Sequence, residues 1–352
     1  MSSSQESVTT LDDSAAADLL ESESAVGTIW AQKLVAPGRF EQIDIAAPRA
    51  DDLEPGEVIL KTLAGGVCGS DFPFVRGQLP LSWGMASPRN YVETPGFPLH
   101  EVVGEVVATA SDLEVGARVV GWASRSNAIS EYIVTSAAGL APYDSSLEPD
   151  TAVLLQPLAC VIDAVDRMLP SIEGRDVVVL GLGPIGLLFG HVARSRGARR
   201  VRGVDRVLRT DLGKDFGFDE TICASSDTWA NDLAADDRPD VVVEAVGHQQ
   251  STFGHAVEAL GQAGLLYYFG IPDDYNYTIP MQTLLRKNLT VMTGIVVEKR
   301  KALDASSEYL RDHPSLREQY VTHRFLVGEV TRAFEVAMTP SPGRAKVVLQ
   351  MV

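Results

Sequence analysis

A glycine-rich turn between an apolar segment and a helical segment constrains the fold of this chain more than any other feature. The segment Asp176–Leu180 is short and apolar, and it runs directly into the sequence Gly-Leu-Gly-Pro-Ile-Gly at positions 181–186. The next apolar segment ends at Asp205, about 20 residues after the last of these glycines. A strand, a glycine-rich turn, a helix and an acidic residue in this order predict a βαβ unit that binds a dinucleotide.

Each position of this turn has a physical role in the prediction. Gly181 allows the tight turn, Gly183 lets the backbone approach a pyrophosphate, and Gly186 lets the helix and the strand pack closely. The helix that begins near Pro184 and Ile185 then offers backbone amides to the phosphates. These five positions are therefore predicted to bind the cofactor.

The acidic residue at the end of the second strand bears on which dinucleotide is bound. The Asp205 carboxylate can accept hydrogen bonds from the ribose hydroxyls, and it repels a 2′-phosphate, so it favours NAD over NADP. Arg206 and Arg209 leave an alternative open, because they are either solvated surface charges or partial compensation for such a phosphate. We expect NAD, with Arg206 at its binding site.

The length of the chain and a change in its hydrophobic pattern predict two domains. A chain of 352 residues is long for a single core. Short strand-like segments separated by turn signals, up to about residue 141, predict a β-rich domain of barrel character. From about residue 151, apolar strands alternate with helical segments, which predicts a doubly wound parallel sheet and an α/β fold class. Residues 1–24 form an acidic N-terminal tail in this interpretation.

Composition excludes several other functions. The formal charge of −17 argues against a nucleic-acid or anionic-membrane surface, which would need clustered basic residues. There is no apolar run of about 18 residues, so no membrane span is expected. The N-terminus lacks the basic start and apolar stretch of a secretory signal, so we expect a cytoplasmic protein. Three widely spaced cysteines predict no disulfide framework.

Three separated segments carry the remaining chemistry: GVCGSD at residues 66–71, PLHEVVG at 98–104 and LQPL at 155–158. Taken singly, a cysteine between glycines or a lone histidine is as readily a core residue as a ligand. Together, and ahead of the glycine-rich turn, they resemble the medium-chain dehydrogenase/reductase superfamily, particularly its zinc-containing sorbitol, threonine and glucose dehydrogenase branches. The resemblance covers nearly all of the chain from about Trp30 to Leu349.

The resemblance implies a domain organisation. A GroES-like β-rich catalytic domain would comprise residues 25–160, and a Rossmann domain for NAD would comprise residues 161–296. Residues 297–352 would then return to the catalytic domain.

The resemblance also implies one catalytic zinc per chain. Cys68 and His100 would be ligands, Gln156 would stand at the position of the third ligand, and Glu101 would be a carboxylate able to enter or leave the coordination shell. Which of Glu101 and Gln156 is the lasting ligand stays open. Ser70 would receive the hydroxyl proton.

Two further sets of residues follow from the resemblance. The nicotinamide would lie against backbone near Val246, Gly270 and Gly294, with His248 the histidine expected nearest to the cofactor. Asp71 would pair with a cation near the C-terminus, for which Lys346 is the match.

This chain departs from the family pattern at four places. Leu99 replaces a glycine before the His-Glu pair, and Gln156 replaces a glutamate or cysteine. Pro73 stands where a relay histidine is often found, so the proton would leave through water or another group. The stretch from Arg118 to Glu131 contains no cysteine, so the lobe with a four-cysteine structural zinc is missing.

The implied reaction is reversible hydride transfer between NAD and a secondary alcohol that is a polyol, a sugar or a cyclitol. Two alternatives are a zinc-free NADPH-dependent quinone or enoyl reductase of the same superfamily, and a catalytically silent homologue that binds a nucleotide. The segment from Phe72 to Pro98, with Trp83, Arg89 and Tyr91, either lines the substrate pocket or forms a surface loop. The resemblance implies edge-to-edge pairing of cofactor domains in a homodimer or homotetramer, and the segment 291–297 is apolar enough to need such cover.

Overall fold

The computed structural model describes residues 27–78 and 94–351. The acidic tail at 1–24 and the candidate pocket residues Trp83, Arg89 and Tyr91 lie outside the described residues. None of the described helices is both long enough and apolar enough to cross a membrane.

The N-terminal part of the described chain is β-rich. Numbered along the chain, its strands are β1 (Thr28–Ala36), β2 (Arg39–Ala46), β3 (Glu57–Gly66), β4 (Glu101–Thr109), β5 (Arg118–Trp122), β6 (Tyr132–Ser136) and β7 (Leu140–Pro142), with one short helix, α1 (Phe72–Val75). Strands β1 and β2 form a separate hairpin, and β3 pairs with both β4 and β6. Many of the buried side chains of these strands belong to one apolar core, which includes Val58, Leu60, Val102 and Val119.

Two helices lead from this domain into the next, α2 (Pro149–Ala152) and α3 (Leu155–Met168). Ten of the fourteen residues of α3 are buried, so it is a core helix shared by both halves of the molecule. The expected domain limit between residues 160 and 161 falls inside α3.

The second domain contains a parallel sheet flanked by helices. Its strands are β8 (Asp176–Leu180), β9 (Arg200–Asp205), β10 (Glu220–Cys223), β11 (Val241–Glu244), β12 (Leu265–Tyr268) and β13 (Thr290–Thr293). The helices between them are α4 (Pro184–Ser195), α5 (Thr210–Gly213), α6 (Ser226–Asp232), α7 (Ser251–Ala259) and α8 (Met281–Lys287). The strand order β10-β9-β8-β11-β12-β13 reverses direction between β8 and β11, which is the doubly wound arrangement.

Both faces of this sheet are covered at its centre, and this explains why the central strands β8, β11 and β12 are largely apolar. Val177 and Val179 of β8 face one buried cluster, whereas Val178 and Leu180 face the other. Successive side chains of a strand point to opposite faces, so a strand buried on both sides must be apolar at every position.

The last part of the chain returns to the β-rich domain. Its elements are α9 (Lys299–Asp312), α10 (Leu316–Gln319), β14 (Val321–Leu326), α11 (Val330–Met338) and β15 (Lys346–Gln350). Helix α9 packs on α3, and β15 pairs antiparallel with β3 to complete the order β14-β15-β3-β4-β5-β7. The predicted α/β class, with a β-rich part and a doubly wound sheet, is confirmed.

Candidate active site

A thiol, an imidazole and a carboxylate meet where β3 ends and β4 begins. Cys68 follows β3, His100 precedes β4, and Glu101 is the first residue of β4. Because the two strands pair antiparallel with Gly66 opposite Glu101, the end of one lies beside the start of the other. One ligand atom from each of these three side chains lies within 4.8 Å of the other two.

The orientation of the imidazole is set by a carboxylate. His100 Nδ1 lies 2.9 Å from Asp71 Oδ1, and Asp71 Oδ2 accepts the backbone N–H of Cys68 at 3.0 Å. Burial would lower the pKa of His100, but the carboxylate of Asp71 and the thiol of Cys68 outweigh it and raise that pKa well above its usual value. With Nδ1 donating to Asp71, Nε2 is the nitrogen left to bind a metal.

A buried ion pair lies beside this cluster. Lys346 Nζ donates to Glu101 Oε1 at 2.6 Å, and both side chains are almost completely buried. A Cβ atom at Gly66 would overlap Glu101 Oε2 and would lie 2.9 Å from Lys346 Cε, so glycine at this position makes room for the pair. Among the described residues, Glu101 Oε2 has no hydrogen-bond partner.

The predicted pairing of Asp71 with Lys346 is wrong. The partner of Lys346 is Glu101, while Asp71 bonds to His100 and to the turn that carries Cys68. The register of the strands decides this. Gly66 of β3 lies opposite Glu101 on one side and Val348 of β15 on the other, which brings Lys346 to Glu101.

The candidate third ligand lies on the helix between the domains. Gln156, in the first turn of α3, is buried, and its amide Nε2 donates to Cys160 Sγ at 3.6 Å, one turn further along. This leaves the amide oxygen as the end of the side chain able to act as a ligand. Burial raises the pKa of the Cys160 thiol, and the nearby charges of Glu101 and Cys68 add to the shift, so Cys160 faces the same cluster as a neutral thiol.

The chemistry of this donor set fits zinc. A thiolate and an imidazole nitrogen, completed by an oxygen donor, make up a ligand set of catalytic zinc sites. The candidate oxygen donors are Glu101 Oε2, which is buried and has no hydrogen-bond partner among the described residues, and the amide oxygen of Gln156. His100 has the carboxylate partner that zinc-bound histidines usually have.

The glycine-rich turn has the geometry predicted for it. Gly181 has a φ of +86°, in the left-handed region, and a Cβ at Gly186 would overlap the carbonyl oxygen of Gly181. The space beside the Gly183 Cα is open, so a ligand can approach the backbone there. Helix α4 begins at Pro184, with Ile185 in its first turn, and directs its free amides to this place.

Asp205 lies at the end of β9, beside the glycine-rich turn. Its two carboxylate oxygens accept the backbone N–H groups of Leu182 at 2.7 Å and Val207 at 2.8 Å. Arg206 is exposed. Arg209 fits neither interpretation offered for it, because it is buried and its Nη1 donates to the carbonyl oxygens of Ser341 and Arg344, each at 2.9 Å.

The residues predicted to lie against the nicotinamide follow the carboxyl ends of three strands: Val246 follows β11, Gly270 follows β12 and Gly294 follows β13. This is the edge of the sheet where doubly wound folds bind dinucleotides.

A buried carboxylate that the sequence analysis missed organises this region. Glu244 accepts the N–H of Val246 at 3.2 Å and that of Gly247 at 3.1 Å. An acidic residue at the end of an apolar strand was the signal that could have identified it.

The remaining predicted residues lie between the two domains. Ser70 is half-buried, in the turn that follows Cys68, and Pro73 is buried in α1. The His248 side chain reaches from the dinucleotide domain to this turn, where its Nε2 lies 3.2 Å from the Gly69 carbonyl oxygen. Asp273, which pairs with His248, was missed by the sequence analysis.

Two protein-family models match the chain. The model of the alcohol dehydrogenase GroES-like domain matches residues 54–145, and that of the glucose dehydrogenase C-terminus matches residues 149–351. The predicted GroES-like character of the β-rich domain is thereby confirmed.

Curated relatives cover most of the chain at modest identity. The chain is 26% identical over 273 residues to D-arabinitol dehydrogenase 1 of Uromyces fabae, a match covering 68% of this chain and 74% of that protein. It is 27% identical over 344 residues to L-threonine 3-dehydrogenase of Saccharopolyspora erythraea, a match covering 88% of this chain and 95% of the relative.

Solved structures share the fold over nearly the whole chain. An alcohol dehydrogenase from Thermus sp. ATN1 superposes with a TM-score of 0.75 at 22% identity, covering 92% of this chain and 100% of the other. A zinc-binding dehydrogenase from Sinorhizobium meliloti 1021, bound to NADP, superposes with a TM-score of 0.72 at 22% identity and the same coverage.

Proposed function

The chain belongs to the zinc-type medium-chain dehydrogenase/reductase family, and from that premise we propose that it oxidises a secondary alcohol reversibly, with zinc held by Cys68 and His100 and with NAD as the hydride acceptor. The observation that carries the proposal is the cluster of Cys68, His100 and Glu101, whose ligand atoms lie within 4.8 Å of one another. The turn that follows Cys68 contacts the dinucleotide domain through His248, whose Nε2 lies 3.2 Å from the Gly69 carbonyl oxygen.

The residues of this chain divide the work. One carboxylate oxygen of Asp71 lies against Nδ1 of His100, and the other accepts the backbone N–H of Cys68. Both candidate ligands are therefore oriented before a metal binds. Zinc, when bound, polarises the alcohol and lowers its pKa. In this proposal Ser70, which lies in the same turn, receives the proton of the substrate hydroxyl. Glu244 fixes the loop against which the nicotinamide would lie.

The proposed substrate class is a polyol, a sugar or a cyclitol. The names of the matched relatives support it, since arabinitol and the side chain of threonine both carry a secondary alcohol. The zinc-free reductase alternative is disfavoured by the donor cluster itself. A reductase that needs no metal has no use for a thiol, an imidazole and a carboxylate whose ligand atoms lie within 4.8 Å of one another.

Metal analysis and a panel of alcohols test the proposal together. The purified protein is expected to hold about one zinc per chain and to reduce NAD in the presence of at least one alcohol from a panel of pentitols, hexitols, aldoses and inositols. Full turnover of an alcohol in a metal-free preparation would overturn the proposed role of zinc. A zinc-loaded protein that binds NADH without turning over any member of the panel would indicate the silent homologue.

The cofactor preference depends on Asp205. Its carboxylate lies beside the glycine-rich turn, where a 2′-phosphate would meet a negative charge, so kcat/KM is expected to be higher with NAD than with NADP. Asp205→Ser removes that charge. It should lower the ratio of kcat/KM with NAD to kcat/KM with NADP by about tenfold, which corresponds to about 1.4 kcal/mol. Steady-state kinetics with both cofactors measure the ratio, and a native preference for NADP would contradict the role given to Asp205.

The exposed edge of the parallel sheet supports a homo-oligomer. Strand β13 ends the sheet order, and Val291, Ile295 and Val297 in and after it are 42%, 77% and 85% exposed. An unpaired apolar edge strand favours pairing with a second copy. Light scattering at micromolar concentration is expected to give a dimer or tetramer mass, and Val291→Lys should shift it towards the monomer. A monomer mass for the native protein would contradict this prediction.

A further inference from the structure

The side chain of His248 connects the two halves of the candidate active site. The residue belongs to the loop after β11, in the dinucleotide domain. Its Nδ1 lies 2.6 Å from Asp273 Oδ1, in the segment after β12, and its Nε2 lies 3.2 Å from the carbonyl oxygen of Gly69, in the turn that follows Cys68. One imidazole ring thus contacts both the segment after β12 in the dinucleotide domain and the turn that follows Cys68.

The backbone around His248 is held in an uncommon conformation. His248 has a φ of +56° and follows Gly247 at +64°, so two consecutive residues lie in the left-handed region. For a residue with a Cβ atom this conformation is unfavourable and persists where the surroundings fix it. Here the His248 N–H donates to the carbonyl oxygen of Ile271 at 2.8 Å, and Gly247 N–H donates to the buried Glu244.

The two partners of the ring define what it does. The carboxylate of Asp273 and the carbonyl oxygen of Gly69 are both acceptors, and each ring nitrogen lies against one of them. The imidazole ring thereby joins Asp273 to the Gly69 turn. Gly69 itself is flanked by Cys68, a candidate metal ligand, and by Ser70, the candidate proton acceptor.

We propose that His248 is a positioning residue for hydride transfer: held by Asp273, it fixes the Cys68–Asp71 turn against the loop that carries Val246. This inference rests on the proposed function, because it takes the alcohol to bind beside Cys68 and the nicotinamide beside Val246. The hydrogen bond from His248 to Gly69 then fixes how closely the two binding sites approach. A displacement of about 1 Å between reacting groups can lower a rate by about 10²-fold.

Three variants separate the two hydrogen bonds. His248→Ala removes both, His248→Gln keeps a donor able to reach Gly69 but loses the pairing with Asp273, and Asp273→Asn removes the carboxylate that orients the ring. A matched control is His255→Ala, the same substitution in the same domain, at a histidine of α7 that bonds to Ser226 instead.

In zinc-loaded protein, His248→Ala is expected to lower kcat by about 10- to 100-fold, with zinc content, NADH affinity and KM for the alcohol within about twofold of the native values. The isotope effect with carbon-deuterated alcohol should rise towards its intrinsic value, because hydride transfer becomes the slow step. Asp273→Asn and His248→Gln should show smaller losses of kcat, and His255→Ala should show none.

Hydrogen–deuterium exchange gives a readout that needs no turnover. Amides of residues 66–72 should exchange faster in His248→Ala than in the native protein, and those of β8 should not change. Unchanged kcat, or unchanged exchange in residues 66–72, would overturn the proposal. A native enzyme that oxidises no alcohol in the panel would overturn the proposed function instead, whereas the exchange measurement would still show whether His248 holds the turn.

Discussion

Replacing Cys68 by alanine is expected to leave the protein folded, to remove most of its zinc, and to lower kcat/KM for alcohol oxidation by at least about 10³-fold. Cys68 supplies the thiolate of the donor set, and the affinity of a zinc site depends on its deprotonated ligands. The residue is only half-buried and lies in a turn, so the loss of its side chain should cost little stability. Metal analysis of the purified variant and steady-state kinetics at matched protein concentration measure both effects.

Cys223→Ala provides the control for this substitution. It removes an exposed thiol at the end of β10, in the other domain, and the variant should keep the native zinc content. A zinc content that is unchanged in Cys68→Ala would show that the protein binds its zinc at a site that does not include Cys68. Retained zinc with lost activity would assign Cys68 a role other than that of a ligand.

The dinucleotide unit could be predicted from the residues alone because its determinants are local. Gly181, Gly183 and Gly186 act within one turn and the start of one helix, and the structure places them at the junction of β8 and α4 as predicted. The central strands were equally easy to identify, because a strand covered on both faces is largely apolar. The predicted family resemblance is confirmed by family models that together match most of the chain from residue 54 to 351.

Contacts between distant segments could not be predicted in this way. Lys346 could have paired with Asp71 or with Glu101, and no local pattern distinguishes them. The partner of Lys346 depends on two strand registers, that of β15 on β3 and that of β3 on β4. It also depends on Gly66, which has no side chain and so leaves room for the ion pair. A resemblance supplied a cation and a carboxylate, but the packing of this chain decided which carboxylate it was.

Elements shared between domains were also difficult to predict. The resemblance implied a limit between residues 160 and 161, yet helix α3 runs through it and carries Gln156 and Cys160 on consecutive turns. Likewise, His248 could be expected near the cofactor, but its bond to Gly69 depends on how the two domains meet. Long-range pairings of this kind carry no periodic signal in the sequence.

Replacing Lys346 by methionine is expected to lower the free energy of unfolding of the metal-free protein by about 3–5 kcal/mol. The substitution keeps an unbranched side chain but removes the cation from a pair in which both groups are buried. Glu101 then keeps one unpaired oxygen and loses the partner of the other. Urea unfolding in the presence of a chelator measures the loss.

The double variant Glu101→Gln/Lys346→Met separates the lost charge pair from lost packing. Removing both charges should recover much of the stability, because the main cost in the single variant is a buried carboxylate without a counter-ion. A loss below about 1 kcal/mol in Lys346→Met, as is usual for exposed ion pairs, would contradict the burial that the structure assigns to this pair. A double variant no more stable than the single one would attribute the loss to packing.

Repeating the unfolding with zinc present tests whether Glu101 is a metal ligand. A ligand that binds only the folded state stabilises it by RT ln(1 + L/Kd), where L is the free concentration of the ligand, so tighter binding of zinc gives a larger increase in the free energy of unfolding. If the Glu101 carboxylate binds the metal, zinc replaces the missing cation, and its addition should stabilise Lys346→Met more than the native protein. If Gln156 supplies the oxygen and Glu101 stays outside the shell, zinc should add the same stability to both. Equal increments would therefore assign the oxygen ligand to Gln156, and a larger increment in the variant would assign it to Glu101.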